Sequence, residues 1–246
     1  MESGGVLSAR SGRRFPLHAD WIDFIPEHER EGPKVVTALM HLPAVSAAYE
    51  QVLRPSVDRI RVGQRVDWRQ EMSWAVEALR GHVGVVADIA CGSGAVGVAA
   101  ARGADFERLY CVDRSEPLLA QCVRRSEMAA LRCPVVLLRA DARYLPLADS
   151  ILDAAHVRIG ASLWRAFDRL IAELARVVKT GGEVIASAAS GKGDLRGLAA
   201  RMIVARTAGI SMPSPDRVRA LCEAAGFHGV EVERRSGTLR MRMIRS

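Results

Sequence analysis

The chain lacks any cysteine pair of the C-x-x-C type. Its five cysteines, Cys91, Cys111, Cys122, Cys133 and Cys222, are scattered and odd in number. That argues against a disulfide framework or a structural zinc site, so most are read as small buried hydrophobes, with no metal ligand expected. No apolar run approaches the roughly 18 residues of a membrane span. The opening stretch MESGGVLSARSGRR lacks the apolar core of a secretory signal. The expectation is therefore a cytoplasmic protein without a membrane span. Lysine is nearly absent, so the net charge of +7 is carried by arginine. Residues 191–246 hold 11 Lys and Arg against 5 Asp and Glu, an excess of six. The arginines stand singly, with no aromatics between them, which fits solvated faces better than a nucleic-acid surface.

What is present is a globular composition, 49% hydrophobic over 246 residues, enough for one α/β domain with a small cap. After a Gly-, Ser- and Arg-rich tail, FPLHADWIDFIP reads as an ordered arm that packs on the body. GPKVVTALMHL and PAVSAAYEQVL read as two short helices with proline in or before the first turn. Trp68, Met72, Val76 and Leu79 recur at helical spacing and predict an amphipathic helix ending near Gly81. From there strands and helices alternate: VGVVADIA, GAVGVAAAR, RLYCVD, EPLLAQCVRRSEMAAL, CPVVLLRAD, ILDAAHV, LWRAFDRLIAELARVV, GGEVIASAA. Such alternation predicts a parallel sheet with helices on both faces. SPDRVRALCEAAG is a last helix with Ser214 as N-cap and Pro215 at its first position. GVEVERRSGTLRMRMI is an antiparallel hairpin, with Leu239, Met241 and Met243 on one side and Arg240 and Arg242 on the other. The fold expected is a Rossmann-like, seven-stranded, mostly parallel sheet with a C-terminal antiparallel hairpin. Residues 1–65 would form an N-terminal arm and helical cap, and 66–246 the main domain, with a cap insertion at 191–213.

The stretch VVADIACGSGAVG carries two patterns. From Gly92 it is G-x-G-x-x-G, a dinucleotide-binding turn; from Asp88 it is an acidic residue feeding a glycine loop. Ala90, Gly92 and Gly94 let a ligand approach the backbone, and Gly97 is the small residue that lets the next helix pack on the sheet. Asp113 ends the second strand, about 20 residues on, where a carboxylate accepts ribose hydroxyls of either cofactor class. Asp88 separates the two classes. A pyrophosphate over the loop would be repelled by it, whereas the sulfonium and ammonium of S-adenosylmethionine would be attracted. Asp141, ending the third strand, can accept the adenine amino group, while the Ala142 backbone N–H serves a ring nitrogen.

Together these runs resemble the class I S-adenosylmethionine-dependent methyltransferases, and within them the small-molecule branch that includes ubiquinone and menaquinone C-methyltransferases. VVADIACGSG is similar to that family's first motif, LYCVDRSEPLLAQC to its second-strand motif, and ADARYLPLADSILDAA to its third-strand motif. ELARVVKTGGEVI and CEAAGFHGVEV match the approaches to the fifth and sixth strands. The resemblance implies S-adenosylmethionine as cofactor, Arg114 beside the adenine, Val157 in the cofactor set, and Tyr49 on an N-terminal helix against the methionine end. Thr180 stands where the family commonly has proline, and Leu152 where it often has phenylalanine.

Methyl transfer to an activated acceptor needs at most a general base. His156, near the end of the fourth strand, is the first candidate; His18 and His41 are weaker ones. No NPPY or DPPY run is present for exocyclic nucleic-acid amines, and HVRIGASLWRAFD offers only Asp168 to a metal. The expected activity is methyl transfer to a small apolar or aromatic metabolite, by a monomer or homodimer. The alternatives are an RNA methyltransferase using the basic C-terminal third, or a non-methylating S-adenosylmethionine-binding enzyme on the same scaffold.

Overall fold

Burial on both faces is what the apolar run around Val85–Ile89 demands, and the chain supplies it. In the computed structural model, which describes residues 5–7, 14–17, 20–26, 67–189, 214–235 and 237–246, this run is β4 (Gly84–Ile89), at the centre of an eight-stranded sheet. Around it stand β5 (Phe106–Asp113), β6 (Val135–Arg139), β7 (Leu152–Ile159), β8 (Val178–Ala189), β9 (Phe227–Arg235) and β10 (Thr238–Arg245). The order is β3-β6-β5-β4-β7-β8-β10-β9, with β3 being Ile22–Asp23. Only β10 runs antiparallel to its neighbours.

The sheet thus has eight strands rather than the seven expected. The extra one is the N-terminal arm: Ile22 and Asp23 pair with Leu138 and Arg139 of β6. Buried Asp23 accepts from Arg139 Nη1 at 3.0 Å, and Phe24 N–H donates to the Arg139 carbonyl at 2.8 Å. Two further short strands, β1 (Gly5–Leu7) and β2 (Arg14–Pro16), pair with each other.

Helices cover both faces. On one lie α1 (Trp68–Arg80), α2 (Gly97–Ala101) and α3 (Glu116–Ala129), whose Ala75, Leu79, Val98 and Leu119 bury against Val86, Leu109 and Ile185. On the other lie α5 (Phe167–Val177) and α6 (Pro215–Ala224), packed on Ala87, Ile89, Val157 and Met241. Each fully buried Leu, Ile or Phe contributes about 1.5–3 kcal/mol. The single long helix expected around LWRAFDRLIAELARVV is two: α4 (Ala161–Trp164) ends before α5 begins at Phe167. Trp164 and Phe167 then stack at 5.0 Å, both facing the core. Ser214 caps α6 by accepting from Arg217 N–H at 3.3 Å, as its sequence position predicts.

The hairpin is also as expected on its apolar side, where Leu239, Met241 and Met243 are buried. Arg240 is not on a solvated face. It is buried under α1, with Nε 2.9 Å from Glu71 Oε2. Among the described residues, no helix is long and apolar enough to cross a membrane. The expected helices of the N-terminal cap and the insertion at 191–213 lie outside the described residues.

Candidate active site

Parallel pairing places five residues in one row across the sheet: Leu137, Cys111, Asp88, His156 and Ile185. Leu137, Cys111 and Ile185 bury on the α1–α3 face. Asp88 and His156 occupy the third and fourth places of that row, each about 1% exposed. A charged group and an imidazole in such a position need partners. Asp88 Oδ2 accepts from Gly97 N–H at 2.8 Å, and Oδ1 meets His156 Nδ1 at 2.7 Å. An ionised carboxylate only accepts, so Nδ1 is the donor, and in a neutral imidazole Nε2 then keeps its lone pair. Nε2 is buried and has no hydrogen-bond partner. A cavity of about 30 Å³ lies here, lined by Asp88, Ala90, Cys91, Val96, His156 and Arg158, with Trp68 and Met72 of α1 also against it.

The glycine loop forms the cavity's other wall. Ala90, Gly92 and Gly94 all take positive φ, 54°, 57° and 74°. A Cβ at Gly94 would collide with Cys122 Sγ beneath it, so this position admits only glycine. At Gly97 a Cβ would come within 2.7 Å of the Asp88 Cβ; its absence is what lets the carboxylate reach the backbone N–H. Asp113 ties the loop from the neighbouring strand, with Oδ2 accepting from Gly92 N–H at 2.7 Å and Oδ1 from Ser115 N–H at 2.8 Å.

Asp141 is more heavily used than its sequence position suggests. Its Oδ1 accepts from Arg143 N–H and Nε, both at 2.9 Å; its Oδ2 accepts from Arg143 Nη2 at 2.6 Å and Arg114 Nη1 at 2.9 Å. That fills the roughly four lone-pair positions of a carboxylate. Burial raises the Asp141 carboxyl, but the Arg143 bonds and the Arg143 and Arg114 charges outweigh it and hold it below the usual range. Ala142 beside it is buried. Val157 sits next to His156 but faces the opposite way, into the α5 side of the core, so only its backbone is turned to the site. Tyr49, His18 and His41 lie outside the described residues.

Sequence reasoning placed Trp68 on an amphipathic helix but assigned neither it nor Arg158 nor Ser93 to the site. Arg158 follows His156 by one pleat repeat on the same strand face, and its guanidinium stacks 3.6 Å from the Trp68 ring centre. The period-2 spacing from His156 was the available signal. Ser93 Oγ, inside the loop, is fully buried without a hydrogen-bond partner.

A central parallel sheet with one antiparallel strand set between the last two parallel ones, and a positive-φ glycine loop at the end of its middle strand, defines a Rossmann-like domain. Residues 86–182 match the family described as methyltransferase domain. The chain is 34% identical over 127 residues to the demethylmenaquinone methyltransferase of Thermobifida fusca, covering 51% of each. It is 28% identical over 152 residues to an uncharacterized chloroplastic methyltransferase of Arabidopsis thaliana, covering 60% of this chain and 42% of that one. The chain spans about half the length of the curated relatives it matches. Among solved structures, a putative S-adenosylmethionine-dependent methyltransferase of Methanococcus maripaludis superposes with a TM-score of 0.58, at 16% identity over 83% of this chain and 93% of that one. Phosphoethanolamine N-methyltransferase 2 of Haemonchus contortus, in complex with S-adenosylmethionine, gives 0.61 at 17% identity over 90% of this chain and 47% of that one. Residues 86–182 of this chain thus match a methyltransferase domain, and the fold around them is that of solved Rossmann-like methyltransferases.

Proposed function

We propose that the protein transfers a methyl group from S-adenosylmethionine to a small apolar or aromatic acceptor, and that His156 Nε2 takes the acceptor's proton. The observation that carries this reading is the Asp88–His156 pair, buried beside the glycine loop, with His156 lining the cavity and its Nε2 without a hydrogen-bond partner.

The site's charge fits the cofactor. Two carboxylates, Asp88 and Asp113, bond the loop's own N–H groups at Gly97 and Gly92. A pyrophosphate would meet repulsion there, whereas a sulfonium and an ammonium group are stabilised. Ala90, Gly92 and Gly94 would hold the cofactor by backbone approach, with Ser93 Oγ as a further polar partner. Asp113 would accept the ribose hydroxyls, exchanging its Gly92 bond. Asp141 and Ala142 would hold the adenine, and Arg114, whose side chain is 45% exposed, is the Asp141 partner easiest to displace. Val157 would contribute backbone, and Tyr49 would close the methionine end. S-adenosylmethionine supplies a methyl group already activated by its positive sulfur.

The chain's own work is then positioning and proton removal. Asp88 fixes the imidazole ring and its tautomer. Nε2 accepts the proton of a phenol, enol or activated carbon acid. Arg158 brings a positive charge to the same cavity, favouring an acceptor that becomes an anion. Trp68 and Met72 supply apolar surface for the rest of it.

The test is formation of S-adenosylhomocysteine with a panel of phenols, quinols and 1,3-dicarbonyl compounds, alongside calorimetry of cofactor binding. His156→Ala is expected to cut turnover about 10²–10⁴-fold while sparing cofactor affinity. Asp113→Ala is expected to weaken S-adenosylmethionine about 10–100-fold, as lost charge-assisted bonds would. Turnover of His156→Ala near the wild-type rate rules out the base, and unchanged affinity of Asp113→Ala rules out the ribose contact.

A further inference from the structure

Three thiols meet directly beneath the glycine loop. Cys91 belongs to the loop, Cys111 to β5 and Cys122 to α3, and their Sγ atoms all lie within 4.8 Å of one another. Methyl transfer as derived above uses none of them. Their separation in sequence matches no ligand spacing; the cluster exists because β4, β5 and α3 pack together.

Packing alone is the plain explanation for a buried thiol, and Cys133 and Cys222 show what that looks like. Both are buried, and burial raises both thiols, that of Cys222 to about 12. Within the cluster each thiol instead has two other sulfurs beside it. The thiolate is the form in which such a group ligates metals. The triangle is also near the right size. A metal–sulfur bond of about 2.3 Å places tetrahedral ligand sulfurs about 3.8 Å apart, within about 1 Å of the spacing found. Cys91 has the means to make up the difference. It sits between the positive-φ residues Ala90 and Gly92, and it also lines the cavity, which gives an ion a way in.

We propose that Cys91, Cys111 and Cys122 form a three-sulfur site for a soft, thiophilic metal ion, and that filling it draws the glycine loop inward and weakens cofactor binding. An all-sulfur donor set selects ions such as Cu(I), Zn(II) and Cd(II) over the hard cations. Each sulfur that ligates gives up its proton to solvent, so no oxidant or reductant is required. The linkage to the cofactor rests on the loop assignment made above; the metal site does not.

The reduced full-length chain, in metal-free buffer, is titrated with Cd(II) alone. Expected are thiolate-to-metal charge-transfer absorption saturating at one ion per chain, proton release, and a raised thermal midpoint. Cys122→Ser and Cys111→Ala should each abolish the absorption, and Cys133→Ser and Cys222→Ser should keep it. Absence of the band in the wild-type chain, its persistence in both cluster variants, or a lowered thermal midpoint from ligation of the unfolded chain overturns the site. One equivalent of Cd(II) should weaken S-adenosylhomocysteine at least 10-fold in the wild type and not in Cys122→Ser. Equal affinity with and without the ion overturns the linkage. A chain that binds Cd(II) as described but never binds S-adenosylhomocysteine instead overturns the cofactor reading and leaves the metal site standing.

Discussion

Asp88 has two oxygens and two separate partners, and both matter to the chemistry proposed. One oxygen holds Gly97 N–H and so the start of α2; the other holds His156 Nδ1. Asp88→Asn separates these roles. The amide oxygen can still accept from Gly97, which turns the NH₂ group toward Nδ1. Nδ1 must then accept, and the imidazole proton moves to Nε2, the atom needed as a base. The variant is expected to fold and bind cofactor but to lose about 10²–10⁴-fold in turnover. Nitrogen NMR of the labelled imidazole would show the tautomer exchange directly. A turnover within a few-fold of wild type would mean the pair is only structural. Asp88 was legible in the sequence as the acidic residue entering a glycine loop. Its partner was legible only as a histidine near a strand end, because 68 positions separate the two and register across parallel strands is invisible in one sequence. Asp141 shows the converse. Its place at the end of β6 could be read off, but not the arginine pair that fills its lone pairs.

At the level of elements, α1 is fixed to the far strands by a buried polar contact that alternation could not reveal. Glu71 Oε2 accepts from Thr238 Oγ1 at 2.8 Å and from Arg240 Nε at 2.9 Å, and Arg240 also lies 4.8 Å from the Trp74 ring centre. Period-2 reading of β10 sends Arg240 to solvent with Arg242. It errs because both faces of this strand are covered, one by the core under α6 and the other by α1. This contact sets where α1 crosses the sheet, and α1 carries Trp68 and Met72 to the cavity. Removing one partner of a buried pair strands the other. Glu71→Ala is therefore expected to destabilise the fold by about 3–5 kcal/mol in urea unfolding, and Glu71→Ala with Arg240→Met to recover most of it. Independent, additive losses in the double variant would show that the two side chains do not act as a pair. The division of LWRAFDRLIAELARVV into α4 and α5 was hidden for a related reason. The apolar period runs on through Arg165–Ala166, while the backbone turns to bring Trp164 onto Phe167.

For the whole molecule, the mostly parallel sheet, its helices on both faces and its closing hairpin follow from alternation, glycine turns and turn residues, all local signals. The eighth strand does not, since a two-residue edge strand is too short for any period to show. Net charge is the other property of the whole, and the structure changes its meaning. Of the basic C-terminal residues, Arg219, Arg235, Arg240 and Arg242 pair with Asp216, Glu233, Glu71 and Glu183, and Arg245 donates to the carbonyls of Ala175 and Gly226. Among the described residues, Arg242 ties β10 to β8, Arg240 ties it to α1 and Arg245 ties it to α5, whereas the Arg219 and Arg235 pairs are local and exposed. Pairing of this kind makes stability depend on carboxylates staying ionised. Asp141, Asp153, Glu173 and Glu183 are all lowered. In each, burial opposes ionisation and is outweighed by bonds to basic or backbone groups; Glu183, bonded by His82 and Arg242, is lowered to about 2. A folded pKa below the unfolded one means the unfolded chain binds more protons, so this stability is complete above the unfolded values and is lost as pH falls through the folded ones. The urea midpoint is accordingly expected to hold from neutrality to about pH 5 and to drop steadily between about pH 4.5 and 2. Glu183→Gln should cost about 1–2 kcal/mol at pH 7, discounted because the Arg242 side chain is 47% exposed, and should flatten the acid slope. An acid slope unchanged in Glu183→Gln would place the acid sensitivity in other groups and remove Glu183 as the clasp between β8 and β10.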